Sequence, residues 1–477
     1  MPTSSHYDVV VIGCGMAGLA AANRAAELGL SVAMLEKAPE EHRGGHTRYS
    51  ESFRVPSTDA DIEQYGYEFV TKADYSADDF YDDIMSQTND RADPEIARTL
   101  VDNAGETVEW LTELGVDWDM DPLNVGYTVA RTFFEGEELV STLVETAEKN
   151  GTDVYYKTEA RELIRNDDGR VVGVKAITDD GFVELESDAV ILGAGGYESS
   201  PEKRTRYYGS DYDAMTVRGS RYNTGEAIDA ALETGANATG QWGGAHMALI
   251  DAESPPVEGG ANRVDGYQYG VLLNREGDRF FDEGEDARAH TYAKLGRIIF
   301  EQPGHEAYIV IDEPLKEHQR ATGPGGWVKG DSLEEVLAEV GCDNPETGAE
   351  TIREFNESTD PGEFDPDSLD GNDTDGITPE KSNWALPIDE PPFYGYRVTG
   401  GITFAFGGVE TNNCAEVIDT RGQHIPGLYA AGNSVGGLFF DNYPGGTGLS
   451  NAAVFGKIAA EEAADEIAPT KTSPTNQ

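Results

Sequence analysis

Cysteine is scarce in this 477-residue chain: Cys14, Cys342 and Cys414 stand far apart, and no CxxC or CxxCH run occurs. That excludes an iron–sulfur cluster or c-type haem carried by the chain, and no metal site is expected. Basic residues are few as well. Against 89 Asp+Glu there are 35 Lys+Arg, a formal net charge of −54. Such a surface repels nucleic acid and anionic membranes, so neither is expected as a partner. Acidic runs such as DEGEDA and DPDSLDGNDTDG point instead to a halophilic protein. In strong salt the screening length falls to roughly 3 Å at 1 M, and self-repulsion is masked. Long apolar runs are also missing. None reaches the roughly 18 residues that a membrane span requires, so an integral membrane protein is not expected. A first strand from about Tyr7 leaves no room for a signal peptide, and a cytoplasmic location is expected.

Glycine is plentiful, and its placement carries the reading. VVVIGCGMAGLAAANRAAELGLSVAMLEK, residues 9–37, reads as strand, glycine turn, helix and second strand. Val9 to Ile12 is an apolar, β-branched run of the kind found in buried parallel strands. In the GxGxxG turn, Gly13 allows the tight bend, Gly15 leaves room for a pyrophosphate, and Gly18 lets helix and strand pack closely. The helix from about Met16 turns its open N–H groups and positive end toward phosphate. It is Ala-rich from Ala17 to Leu28 and ends at Gly29, suited to a C-cap. The second strand, Ser31 to Leu35, ends at Glu36, where a carboxylate meets ribose hydroxyls about 20 residues beyond the glycines.

This unit does not by itself separate NAD from FAD. Further glycine-bearing segments do. KAPEEHRGGHTRYS follows the second strand, DAVILGAGGYESSPE lies mid-chain, and GLYAAGNSVGGLFFDNYPGGTGLSNAAVFGKIAA lies near the C-terminus. One ligand touched by segments so far apart is long and buried, which favours FAD. There is no second GxGxxG unit, so NAD(P)H is not expected as a tightly bound cofactor. Electrons then pass to or from a separate carrier, such as a quinone, a ferredoxin-like protein or a membrane partner.

From Tyr7 to about Ala464 the chain resembles the fumarate reductase/succinate dehydrogenase flavoprotein superfamily. APEEHRGGHTR, VRGSRYNTGEAIDAALETGA, GDRFFDEGEDARAHTYAKLGRIIFEQPG and GITFAFGGVE look most like tricarballylate dehydrogenase-like members. The resemblance implies an α/β fold. A Rossmann-type FAD-binding domain, glutathione reductase-like with a ββα core, is interrupted by an inserted α+β capping domain. The expected divisions are 1–245 and 396–467 for the FAD-binding domain, 246–395 for the cap, and 468–477 for a disordered tail. The segment from Cys342 to Asn383, rich in Asp, Glu, Gly and Pro, reads as a loose surface excursion of the cap.

The expected cofactor set is Gly13, Gly15, Met16, Ala17, Gly18, Glu36, Lys37, Gly44, Gly45, His46, Thr47, Ala160, Ala194, Gly195, Gly196, Asn433, Gly448, Leu449 and Ser450. His46 stands where succinate dehydrogenases attach FAD covalently. The tricarballylate-like resemblance implies non-covalent FAD, with a His46 link as the alternative.

For chemistry, the resemblance implies hydride exchange at flavin N5 and a proton-carrying arginine, here Arg288. Glu283 and Asp286 are near enough in sequence to relay its proton, and Tyr292 lies one helical turn on. His246 and Arg397 match the positions that grip the substrate, and an arginine fork at Arg397 suits a carboxylate. Tyr443 stands where fumarate reductases carry an arginine, so fumarate and succinate are not expected as the best substrates. YPGGTG is similar to the turn of 3-ketosteroid Δ1-dehydrogenases, in which a tyrosine polarises a ketone. Arg218 and Arg221 form a basic pair with a site role or a charge-balancing one. Three readings result: dehydrogenation, or its reverse, beside a carboxylate; Δ1-type chemistry beside a ketone; and a non-enzymatic flavin redox sensor.

Overall fold

The computed structural model describes residues 6–66, 74–118, 131–257, 262 and 264–472. Its first sheet is built on strand His6–Ile12, where Val9, Val10 and Val11 are fully buried. This strand pairs in parallel with Val32–Leu35 on one side, Val9 opposite Val32 and Ile12 opposite Leu35. On the other side it pairs in parallel with Gly181–Leu192, Ile12 opposite Leu192. Strand His424–Ala430 continues the parallel set, with Ala430 opposite Leu192. All four strands therefore end along one edge, at Ile12, Leu35, Leu192 and Ala430. In open α/β sheets ligands bind beyond this carboxyl edge. The antiparallel strands Glu159–Arg165, Val171–Thr178 and Gly181–Leu192 form a hairpin flap.

Helix Met16–Glu27 follows the glycine turn, and Gly29 beyond it adopts φ 80°. It packs against the closing helix Thr447–Thr472, where a Cβ at Gly456 would sit 2.4 Å from the Ala17 carbonyl oxygen. Small residues on both helices allow this approach. The closing helix runs five residues into the segment expected to be a loose tail; 473–477 lie outside the described residues.

A second, antiparallel sheet is built on the long strands Ala238–Asp251 and Phe393–Val409, extended by Glu306–Ile311 and Val271–Asn274. The expected boundaries at 245/246 and 395/396 fall inside its two long strands, so this sheet draws on both sides of each. Beside it, a short ribbon pairs Val264–Asp265 with Arg320–Ala321, setting Asp265 opposite Arg320. The stretch expected to be a loose excursion is instead packed. It contains helix Pro345–Ser358, and Ile352, Phe355 and Lys381 are buried. The Lys381 ammonium donates to the Gly270 carbonyl at 2.7 Å, so even its charge is tied down.

Candidate active site

The carboxyl edge of the parallel sheet opens into a cavity of about 380 Å³. Ile12 to Ala17, Leu35 to Lys37, Gly45 to Thr47, Ala160, Ala194, Gly195, Asn433, Gly448 and Leu449 line it. Glu36, 6% exposed, accepts the backbone N–H of Cys14 at 2.9 Å and that of Ala38 at 2.7 Å. Burial pushes its carboxyl above the usual range, against these stabilising bonds. The Thr47 hydroxyl accepts the Met16 N–H at 2.8 Å, joining the glycine turn to the GGHT segment. Lys37 also lines the cavity and pairs with Glu226 at 3.0 Å.

Four expected cofactor residues do not line the cavity. Gly18 is needed for packing, since a Cβ there would lie 2.0 Å from the Gly13 carbonyl oxygen. A Cβ at Gly44 would strike the Val140 side chain at 2.7 Å, and one at Gly196 would strike the Glu198 carboxylate at 2.3 Å; both face protein. The Ser450 hydroxyl is engaged by Arg54, accepting its N–H at 3.1 Å and donating to its carbonyl at 2.7 Å.

The same cavity continues to His246, Arg288, Tyr292, Phe404 and Tyr443. Arg288 opens helix Arg288–Phe300 and is 2% exposed. Its guanidinium pairs with the Asp265 carboxylate and lies 4.6 Å from the Tyr292 ring centroid. The expected relay partners are otherwise engaged. Buried Glu283 pairs with Arg279 at 2.5 Å, and Asp286 faces His290 at 3.2 Å. The carboxylate on Arg288 comes instead from the ribbon. The hydroxyls of Tyr292 and Tyr443 are 2.8 Å apart, and the His246 ring lies 4.7 Å from the Tyr443 ring and 5.3 Å from that of Phe404.

Arg397 is not part of this group. It projects from the second sheet, 47% exposed, onto Glu306 at 2.6 Å, and does not line the cavity. In strand Phe393–Val409, Tyr396 and Val398 are buried while Arg397 is exposed. Alternation along the strand therefore turns Arg397 to the other face. Arg221 is exposed, whereas Arg218 lines the cavity and donates to the Thr403 hydroxyl at 2.9 Å.

The family description "FAD binding domain" matches residues 8–449. The chain belongs to this FAD-binding family. It is 29% identical over 469 residues to an NADH:fumarate oxidoreductase of Klebsiella pneumoniae, covering 96% of this chain and 48% of that one. It is 28% identical over 484 residues to a vinyl phenol reductase of Lactiplantibacillus plantarum, covering 92% and 91%. The chain thus spans about half the length of the first relative and nearly all of the second. Its fold superposes on the open conformation of a flavocytochrome c3 fumarate reductase with a TM-score of 0.75 and 26% identity, over 97% of this chain and 78% of that one.

The cavity fits FAD. A Cβ at Gly15 would approach only the Gly44 carbonyl and the Thr47 hydroxyl, both at 3.6 Å. The bare backbone therefore borders open space, where the pyrophosphate runs in dinucleotide folds. Glu36 and Lys37, which line the cavity at the end of the second strand, could hold the ribose of such a ligand. Gly448 and Leu449, at the start of the closing helix, offer amides at a positive helix end. His46 lies in the cavity wall, its side chain 10% exposed and 3.4 Å from the Glu198 carboxylate. Burial holds its imidazole down to about 4, so it is neutral at pH 7. Glu198, fully buried, is pushed up to about 7 by burial.

Several lining residues escape a motif-based reading, among them Tyr222 and Asn223, Arg320, Thr322 and Phe404. VRGSRYN carried a signal, the unusual basic pair, which pointed to the right segment. Arg320 carried none.

Proposed function

We propose that the chain is an FAD-dependent oxidoreductase acting on a carbon–carbon bond beside an electron-withdrawing group, with a small carboxylate as substrate. One observation carries the reading: the cavity that receives the dinucleotide edge also contains Arg288 with its Asp265 partner, the Tyr292–Tyr443 pair and His246. FAD, when bound, supplies hydride acceptance and donation.

In the reducing direction R–CH=CH–COO⁻ gains one hydride and one proton. Arg288 is the residue assigned to move the proton. Guanidinium is a poor acid, with a pKa above 12, so it delivers a proton only as negative charge builds on the receiving carbon. Asp265, buried at 1% exposure, holds the guanidinium in place and stabilises its charge. In the Tyr292–Tyr443 pair one hydroxyl donates to the other, leaving a second proton to polarise a substrate oxygen. The aromatic walls exclude water from the reacting bond. Residues 246–395 we read as the cap that supplies His246, Arg288 and Arg320 to this cavity.

The tyrosine pair also suits a ketone, which keeps the Δ1-type alternative as the second reading. We read the electron carrier as a separate molecule, since the sequence given has no second GxGxxG unit. No helix among the described residues is long and apolar enough to cross a membrane. A cytoplasmic location is supported by the three unpaired thiols, as in reducing compartments. Activity in strong salt is supported by the charge of −54.

The test is anaerobic reduction of the purified protein in strong salt, followed by addition of unsaturated acids and ketones. Reoxidation by an acid supports the main reading and reoxidation by ketones alone the second. A reduced flavin indifferent to all of them leaves a redox sensor.

A further inference from the structure

The expected substrate clamp, Arg397, is occupied by Glu306 outside the cavity. The cavity nonetheless contains a different arginine suited to that task. Among its cations, Lys37 pairs with Glu226, Arg288 with Asp265, and Arg218 donates to Thr403. Arg320 lines the cavity half-buried, beside Thr322. Among the described residues its guanidinium has neither an ion pair nor a hydrogen bond. In a chain with 89 acidic side chains, an arginine in a cavity wall with no carboxylate on it is unusual.

The ribbon explains where Arg320 points. Asp265 and Arg320 are directly opposed in an antiparallel pair. Such partners project to the same face, with Cα atoms roughly 4.5–5.5 Å apart. The Asp265 side chain turns toward Arg288, so Arg320 stands on the Arg288 side of the ribbon. The charges do not balance. Asp265 compensates Arg288, and Arg320 leaves one positive charge open toward the cavity. The other walls here include His246, Tyr292, Phe404 and Tyr443, which offer an imidazole, hydroxyls and aromatic faces.

We infer that Arg320 anchors the carboxylate of the substrate, and that the preferred substrate is an α,β-unsaturated monocarboxylate with an apolar or aromatic body. This rests on the oxidoreductase reading above for the reaction, though not for the binding. One open positive charge suits one carboxylate, and a guanidinium fork binds it in two parallel hydrogen bonds. A second carboxylate would meet aromatic rings, hydroxyls and an imidazole here rather than a second open guanidinium, so dicarboxylates are disfavoured. Body and anchor together place the double bond near Arg288 and Tyr443.

The test is calorimetric titration of the FAD-loaded protein at fixed salt with 3-phenylpropanoate, its methyl ester and succinate. The expected result is tighter binding of 3-phenylpropanoate than of either other ligand. R320Q raises its Kd about 10- to 100-fold, the loss of a charge-assisted bond, and leaves the ester unchanged; R320K falls between. Equal binding of the acid to wild type and R320Q, an ester as tight as the acid, or no binding of the acid to wild type overturns the proposal. If R320Q does not fold, the comparison of acid with ester on the wild type decides. Reoxidation of the dithionite-reduced protein by cinnamate tests the reaction separately. Arg320-dependent binding without reoxidation by any acid or ketone sinks the enzymatic reading and leaves the anchor. Reoxidation with a KM indifferent to R320Q does the reverse.

Discussion

The Tyr443 hydroxyl lies 2.8 Å from that of Tyr292, although 151 positions separate them in the chain. One comes from the last glycine turn and the other from the helix that Arg288 opens. The pair links the helix that carries Arg288, the residue proposed to move the proton, to Tyr443, proposed to polarise a substrate oxygen, and it couples the replacement of the two tyrosines. Tyr443→Phe removes the polarising hydroxyl and is expected to lower kcat about 100-fold or more. Tyr292→Phe is expected to cost less. The double variant should be little worse than Tyr443→Phe alone, because the two act as one chain. Steady-state kinetics on the four proteins check this; additive losses would show the hydroxyls acting independently.

Arg288→Gln is expected to lower turnover by about 100- to 10,000-fold, the range for positioned acid–base groups, while the yellow FAD absorbance is retained. Asp265→Asn has a different signature. Arg288 and Asp265 are both buried, and removing the carboxylate leaves a buried guanidinium without its ion pair, at a cost of about 3–5 kcal/mol. Arg288→Gln strands the equally buried Asp265 carboxylate, so both variants should melt lower, and the rate separates them: Arg288→Gln removes the proposed proton carrier itself, Asp265→Asn only its partner.

Glu198 and His46 give the pH dependence of stability a definite sign. Glu198 is raised to about 7 in the folded protein, so the native state holds the extra proton between its ordinary range and pH 7. Stability from this group is present at low pH and is lost as pH rises toward 7. His46 is lowered to about 4, so the unfolded state binds the extra proton between about 4 and 6.5. From this group stability rises with pH across that window. The two oppose each other. Glu198→Gln removes the falling part, so the melting temperature of the variant should climb more steeply between pH 4.5 and 6.5 than that of the wild type. A parallel pair of Tm–pH curves would refute the assignment.

Arg397→Ala is expected to leave KM for an acid substrate within about twofold of wild type. The side chain is half exposed and pairs with Glu306 away from the cavity. Its loss is felt as stability, because Glu306 is only 7% exposed and keeps Arg275 at 3.6 Å as its other cation. A large rise in KM with unchanged melting would return Arg397 to the substrate.

Precipitation with acid is expected to release the flavin into the supernatant. Colour retained on the wild-type protein, and lost in His46→Ala, would establish the covalent link instead.

Much of the dinucleotide edge is legible in the chain because its rules are local. Gly13, Gly15, Met16 and Glu36 lie within one strand–turn–helix–strand unit, whose backbone demands do not depend on distant partners. Glycine-bearing segments after three other strands point to the same edge, since parallel strands share one direction. The misses have equally local causes. Ser450 and Gly196 stand beside true lining residues, and a neighbour in sequence does not say which way a side chain turns. Glu283 and Asp286 stand close to Arg288 in the chain, yet each has a nearer partner.

The sequence by itself determined the parallel α/β core, the carboxyl-edge cavity and the nature of the cofactor, because hydrophobic runs and glycine turns specify backbone geometry over short spans. Only the tertiary structure decided which charges meet. Strand alternation turns Arg397 outward once the second sheet is assembled. A two-residue ribbon, too short to leave a pattern in the sequence, sets Asp265 against Arg288 and Arg320 in the cavity wall. Ion pairing depends on distances of a few ångströms between segments tens of residues apart, and those distances exist only after the chain has packed.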